Sequence, residues 1–84
     1  MVNEGDYVAI FNSVHRVMKA EKLLKGEQLK ILLIPAPRAL SADCGLAIRY
    51  GANDRPRVET LLADRNLLPE EIYLCTATGF KRTE

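Results

Sequence analysis

The chain has 84 residues, a length that holds one hydrophobic core, so we expect a single domain over residues 1–84. Twelve Lys and Arg residues against eleven Asp and Glu leave a formal net charge of +1, which argues against a dedicated nucleic-acid-binding protein. No apolar run approaches the length of a membrane span, the first residues lack the pattern of a secretory signal, and two cysteines form no disulfide framework, so we predict a reduced, cytoplasmic setting without membrane partners.

The first part of the chain predicts a strand, a helix and a second strand. The segment from Asp6 to Phe11 is a short apolar run rich in β-formers, which is typical of a strand. Ser13 is a good N-cap and Gly26 a good C′ residue, and between them apolar residues recur at helical spacing opposite a basic side. A second strand is predicted from Leu29 to Ile34, and we expect Pro35 to end it because proline cannot donate to a sheet ladder.

The second part of the chain repeats the alternation of strands and helix. A loop over residues 35–43 leads to a third predicted strand from Cys44 to Tyr50, in which large and small side chains alternate. After Asp54, a suitable N-cap, apolar residues at helical spacing predict a second helix. A fourth strand is predicted from Glu71 to Thr76.

The order β-α-β-β-α-β predicts an α+β fold, a ferredoxin-like split βαβ sandwich. In this architecture four antiparallel strands form one sheet, in the order 4-1-3-2, and both helices cover one face. Residues 77–84 show no periodicity, so we expect a core of about residues 6–76 and a flexible tail.

The face of the predicted sheet that the helices leave open is unusually apolar. We assign Val8 and Ile10 of the first strand to the helix side. The opposite face then carries a set of large apolar side chains, namely Tyr7, Phe11, Leu32, Ile34 and Tyr73. Because an antiparallel sheet with one solvated face normally alternates apolar and polar residues, we predict that a second copy covers this face in a homodimer.

Cys44 is the main candidate for chemistry because it opens the third strand, at the end of the sheet where the first helix begins. The free amides and the positive end of a helix stabilise a thiolate, and His15 and Arg38 add positive charge nearby. Ser13 lies beside the same first turn, and Gly45 removes side-chain bulk next to the sulfur. The alternative is that Cys44 packs as a small hydrophobic residue, which is the common role of free cysteine.

The other polar residues form no complete catalytic or metal-binding set. His15 fits a solvated position, a modulator of Cys44 or one half of a metal site, and its helical angle favours the solvated position. A single Cys/His pair is too small a ligand set for zinc, and a Cys–His hydrolase needs an orienting group and an oxyanion hole as well. We therefore predict no metal, no cofactor and no complete enzymatic machinery. Cys75 is predicted to pack in the sheet, at the opposite end from Cys44.

Two stretches of the chain are similar to a known family. The stretch from Pro37 to Tyr50 resembles the Pro-Arg-…-Ser-…-Cys-Gly-Leu-Ala-Leu-Arg-Phe signature of the selenium/sulfur carrier protein-like family, a small bacterial domain. The stretch from Ser13 to Lys25 is similar to the Ser-x-His-x-Ala-x-Lys-Ala-Glu-Lys-Leu-Leu-Lys helix of that family. The resemblance extends from about Tyr7 to Tyr73, with departures at Asp43 and Val17.

The resemblance implies that the protein is a carrier. Cys44 would hold sulfur or selenium as a persulfide or selenosulfide, accepted from a donor enzyme and passed to an acceptor protein. Such a carrier needs an accessible thiolate and no catalytic base of its own. The alternative from a different class is a non-catalytic ligand-sensing or protein-interaction domain that dimerises through its sheet face.

Overall fold

A computed structural model describes residues 2–40 and 45–83, which form one antiparallel sheet and two helices. The strands are β1 (Tyr7–Ile10), β2 (Leu32–Pro35), β3 (Leu46–Tyr50), β4 (Glu71–Thr76) and β5 (Gly79–Thr83). The helices are α1 (Val14–Gly26) and α2 (Arg55–Asp64), the latter preceded by a 3₁₀ turn, Ala52–Asp54. The strand order in the sheet is β2-β3-β1-β4-β5, and no helix in the described ranges is long and apolar enough to cross a membrane.

The fold is α+β as predicted, but the predicted four-stranded, ferredoxin-like sandwich is wrong because the sheet has five strands. The first four strands lie in the expected order, and β5 adds to the free edge of β4. It comes from residues predicted to be a flexible tail. Gly79, with a φ of +142°, takes a backbone conformation that other residues rarely adopt, and the Thr76 hydroxyl donates to its carbonyl at 3.0 Å. A tight turn therefore returns the chain onto the unpaired hydrogen-bonding groups of β4.

α1 begins where the sequence predicts but ends slightly later. The Oγ of Ser13 accepts a hydrogen bond from the backbone N–H of Arg16 at 3.1 Å, which is the N-cap contact expected of serine. The side of the helix turned to the sheet buries Val17, Ala20 and Leu24. Gly26, the predicted C′ residue, is instead the last residue of the helix, and the chain reverses through Gln28, whose φ is +63°. Local capping and apolar spacing thus account for the start of the helix and for its buried side.

β2 begins and ends later than predicted. Pro35 belongs to the strand and pairs with Leu46 of β3. Proline is tolerated there because β2 is an edge strand, so its missing N–H removes no bond to a neighbour on the outer side. Leu29 and Ile31 precede the strand and are buried in the core beneath it.

The main core lies between the sheet and the two helices. Its buried members are Ala9, Phe11, Val17, Ala20, Leu24, Leu29, Ile31, Ile48, Tyr50, Val58 and Leu62. Both helices contribute to this cluster, so both cover the same face of the sheet, as predicted.

The faces of the sheet predicted for the residues of the first strand are wrong. Ala9 of β1 pairs with Ile48 of β3 and with Ile72 of β4. Directly paired residues of an antiparallel sheet share a face, and Ile48 is part of the core beneath the helices. Ala9 therefore faces the helices, whereas Val8 and Ile10 face the opposite side.

The face away from the helices has a smaller core of its own. Its buried members are Val8, Ile10, Ile34, Leu40 and Ala47, against which Val2, Ala36, Tyr73 and Phe80 pack. The chain thus covers the middle of this face with Leu40, which follows β2, and with Val2 near the N-terminus. Tyr7 and Phe11, on which the predicted homodimer partly rested, belong to the helix side. The open apolar surface is smaller than predicted, and the homodimer stays a prediction.

Candidate functional site

The topology gathers the predicted supporting residues at one end of the sheet. Ile10 at the end of β1 pairs with Ala47 near the start of β3. Pro35 at the end of β2 pairs with Leu46, the first residue of β3. Because α1 follows β1 after a short connection, the start of α1 lies at the same end as the start of β3.

The predicted carrier residue Cys44 lies outside the described residues, as do residues 41–43. Its expected position beside the first turn of α1 therefore stays a prediction. Gly45, the next residue, is exposed, has a φ of +73°, and accepts a hydrogen bond at its carbonyl from the N–H of Ala36 at 2.9 Å. Apart from its chain neighbours, no described residue has an atom within 4 Å of a Cβ placed on Gly45, so the described part of the chain leaves this space open. The positive φ, which glycine adopts without strain, is the local reason for a glycine here.

The N-terminus of α1 keeps free hydrogen-bond donors. Ser13 uses its Oγ for the N–H of Arg16, and its carbonyl accepts from the N–H of Val17 at 3.1 Å. The N–H groups of Val14 and His15 form no hydrogen bond with any described residue. The first turn has no acidic residue. This helix end therefore presents two amide donors and its positive dipole end to a negative group.

His15 and Arg38 are both exposed at this end of the molecule. His15 lies in the first turn of α1, and Arg38 lies in the turn after β2. Neither forms an ion pair with a described residue, so both are available to an anion. In residues 2–40 and 45–83, no group of three His, Cys, Asp or Glu side chains is arranged to hold a metal ion.

Arg16 has a structural role that the sequence pattern does not reveal. One guanidinium nitrogen donates to the carbonyl of Asn66 at 3.1 Å and lies 3.4 Å from the carbonyl of Leu68. Both carbonyls belong to the connection between α2 and β4, so Arg16 ties α1 to that connection. The sequence shows Arg16 only as one residue of a basic helix side, because backbone acceptors leave no mark in side-chain spacing.

A second cluster of polar side chains lies at the other end of the sheet. Arg55 donates to the Glu59 carboxylate at 2.8 Å and to the Tyr7 hydroxyl at 3.0 Å, with its guanidinium carbon 4.5 Å from the centre of the Tyr7 ring. The Tyr7 ring stacks on Tyr50 with 5.9 Å between centroids. The Tyr50 hydroxyl is buried and has no hydrogen-bond partner in the described part of the chain. Burial, followed by the negative charge of Glu59, raises the pKa of Tyr50.

Cys75 is half-buried near the end of β4. Its N–H donates to the carbonyl of Asp6 at 2.8 Å, and its own carbonyl accepts from the N–H of Gly5 at 2.9 Å. These bonds place Cys75 beside the start of β1, whereas Gly45 lies at the opposite end of the sheet with β1 between the two strands. The predicted place of Cys75 late in the fourth strand is confirmed, while its separation from Cys44 stays a prediction because Cys44 lies outside the described residues.

One comparison with known proteins gives a match. The family model described as "Putative Se/S carrier protein-like" matches residues 6–74. The match spans both helices and the first three strands and ends within β4, so β5 lies beyond it. It includes the predicted site residues Ser13, His15, Arg38, Cys44 and Gly45. No curated protein and no solved structure matches the chain.

Proposed function

The chain belongs to the Se/S carrier protein-like family, and on that premise we propose that it carries sulfur or selenium on Cys44. The observation that supports this most is the extent of the family match, which covers residues 6–74 and includes the Cys44-Gly45 pair. The carrier takes its cargo from a donor enzyme and delivers it to an acceptor protein. Interaction with other proteins is therefore part of the proposed function.

The proposed transfer is an exchange at sulfur. The Cys44 thiolate attacks the outer sulfur of a persulfide on the donor, the donor's S–S bond breaks, and the donor's inner sulfur leaves as a thiolate with the bonding electrons. Cys44 then holds the outer sulfur with its hydrogen as a persulfide. Delivery repeats this step with an acceptor thiolate as the nucleophile, so no external oxidant or reductant is consumed. Selenium transfer follows the same scheme through a selenosulfide.

The described residues at this end of the sheet are suited to a thiolate. The N–H groups of Val14 and His15 form no hydrogen bond with a described residue, and a helix N-terminus favours an anion by about 0.3–1 kcal/mol at an exposed site. Arg38 is exposed and adds positive charge, the imidazole of His15 is exposed as well, and neither has an acidic partner among the described residues. Open space around Gly45 gives a donor or acceptor protein room to approach. These features support the proposal through the surroundings of the site.

The experiment is intact-mass measurement after incubation with a cysteine desulfurase and free cysteine. The chain has two cysteines, so Cys44→Ser and Cys75→Ser form a matched pair. We expect the wild type and the Cys75→Ser variant to gain about 32 Da, the mass of one sulfur atom in a persulfide, and the Cys44→Ser variant to gain none. Loading that depends on Cys75, or no loading of any variant by a desulfurase active on another acceptor, contradicts the proposal.

A further inference from the structure

A shallow groove with a basic rim lies between α1 and the end of α2. We call it the basic groove. Its lining residues are Lys19, Lys22, Leu23, Arg65 and Leu67, and its volume is about 300 Å³. The two leucines are half-buried and pack against the main core, whereas the three cations are exposed. The groove therefore combines an apolar floor with a positive rim.

The positive charge of the basic groove is not neutralised within the described residues. The ion pairs there involve other cations, and none of Lys19, Lys22 and Arg65 has a carboxylate within 4 Å. A second groove, beside α2 and β4, shows the opposite arrangement, because its Arg55 pairs with Glu59 at 2.8 Å and its Arg82 with Glu71 at 3.4 Å. In a chain of net charge +1, the basic groove is thus a local concentration of unpaired positive charge.

The floor of the basic groove is held in place by hydrogen bonds. The N–H of Leu67 donates to the carbonyl of Leu62 at 2.8 Å, which fixes the chain at the end of α2. Arg16 donates to the carbonyl of Asn66, the residue before Leu67, at 3.1 Å. Because the floor is already ordered, binding a ligand in the groove costs the protein little conformational entropy.

From this combination we infer that the basic groove binds an acidic segment of a partner protein, with an apolar side chain against Leu23 and Leu67 and carboxylates facing the three cations. Three cations are fewer than the four to eight that typically form a lipid-binding cluster. A net charge of +1 gives no extended basic surface for nucleic acid, whereas charge complementarity to a short acidic segment requires only a local patch. This inference does not depend on sulfur chemistry at Cys44.

The test uses a blocked probe peptide, Glu-Glu-Leu-Asp-Glu-Leu-Glu-Asp, titrated into ¹⁵N-labelled protein and measured in parallel by fluorescence anisotropy. We expect amide shifts centred on Leu23 and Leu67 and an affinity that falls as salt increases. Reversing two charges in Lys19→Glu/Lys22→Glu should weaken binding about tenfold or more. The matched control Lys30→Glu/Lys81→Glu makes the same change in net charge at exposed positions outside the groove and should weaken binding less than about twofold.

The outcomes distinguish binding in the basic groove from a general effect of charge and from the carrier chemistry. Equal weakening by the two double variants, or shifts centred elsewhere, overturns the inference. The inference is also overturned if phosphatidylserine vesicles or single-stranded DNA bind at the same amides more tightly than the peptide does. All four changed positions are exposed, so thermal melts should show that both variants fold. A Cys44→Ser variant should bind the peptide as the wild type does, even if persulfide loading fails.

Discussion

The two faces of the sheet are closed in different ways. On one face, two helices, the first of them capped by Ser13, cover a core of eleven buried residues. On the other, four buried strand residues are covered by Leu40 and by partly buried side chains such as Val2 and Phe80. The helix face is covered by regular elements, whereas the second face depends on single side chains from the N-terminal segment, from the loop after β2 and from β5. The difference implies that the helix face provides most of the stability and that the second face opens at lower cost.

The largest expected effect follows from removing a helix-face side chain. Leu62 of α2 is 1% exposed, so Leu62→Ala leaves a cavity in the main core and should lower the free energy of unfolding by about 3–4 kcal/mol. Urea denaturation followed by circular dichroism measures this loss. Leu68→Ala is the control, because Leu68 is 52% exposed and its truncation should cost less than about 0.5 kcal/mol. A loss at Leu62 no larger than at Leu68 would mean that the helices do not form the main core.

The second face should respond less strongly to the same truncation. Leu40 is 8% exposed and lies outside the helices and strands, so Leu40→Ala should cost about 2 kcal/mol, the lower end for buried leucine. The same urea series measures it. A cost equal to that of Leu62→Ala would show that both faces are closed equally well. A cost near zero would show that Leu40 does not cover the sheet.

β5 contributes to the second face through one large side chain. Phe80 is partly buried and packs against the cluster that contains Leu40, so Phe80→Ala should cost about 1 kcal/mol, less than a fully buried phenylalanine. The neighbouring Lys81 is exposed, and Lys81→Ala should change stability by less than about 0.5 kcal/mol. Thermal melts of the two variants compare them directly. Equal melting temperatures would mean that β5 adds no cover to this face.

The helix face was the more predictable of the two. Helical spacing and the Ser13 cap signal are local, so the sequence locates α1 correctly. The segment from Asp6 to Phe11 is apolar on both sides, and its orientation depends on pairing with β3 and β4, which spacing within one strand cannot reveal. β5 has only Phe80 as a large apolar residue, and its one local signal is Gly79 at the turn.

The described residues proposed to support the site lie at the end of the sheet that the sequence predicts. Ser13 and His15 follow from the start of a helix, whereas Gly45, predicted inside the third strand, lies just before β3 at the same end. The role of Arg16 and the basic groove depend on how α1 meets the connection after α2. That contact joins residues far apart in the chain through backbone carbonyls, and no spacing rule of a single sequence contains it.

The smallest expected change in stability at neutral pH comes from removing a buried polar group on the helix face. The buried Tyr50 hydroxyl has no hydrogen-bond partner among the described residues, so its desolvation is uncompensated there. Tyr50→Phe removes the hydroxyl and keeps the ring that stacks on Tyr7. We expect the variant to match the wild type at pH 7 or to exceed it in stability by less than about 1 kcal/mol.

At alkaline pH the wild type and the Tyr50→Phe variant should differ in stability. Burial raises the pKa of Tyr50 in the folded state, whereas in the unfolded chain it stays near the ordinary value of about 10. Above that pH the unfolded state loses the proton first, so the folded state binds more protons and the wild type loses up to about 1.4 kcal/mol of stability per pH unit from this group. The Phe variant lacks this loss. Urea unfolding of both proteins at pH 7, 10 and 11 should therefore show a difference that grows with pH, and parallel curves would contradict the buried position of the Tyr50 hydroxyl beneath the helices.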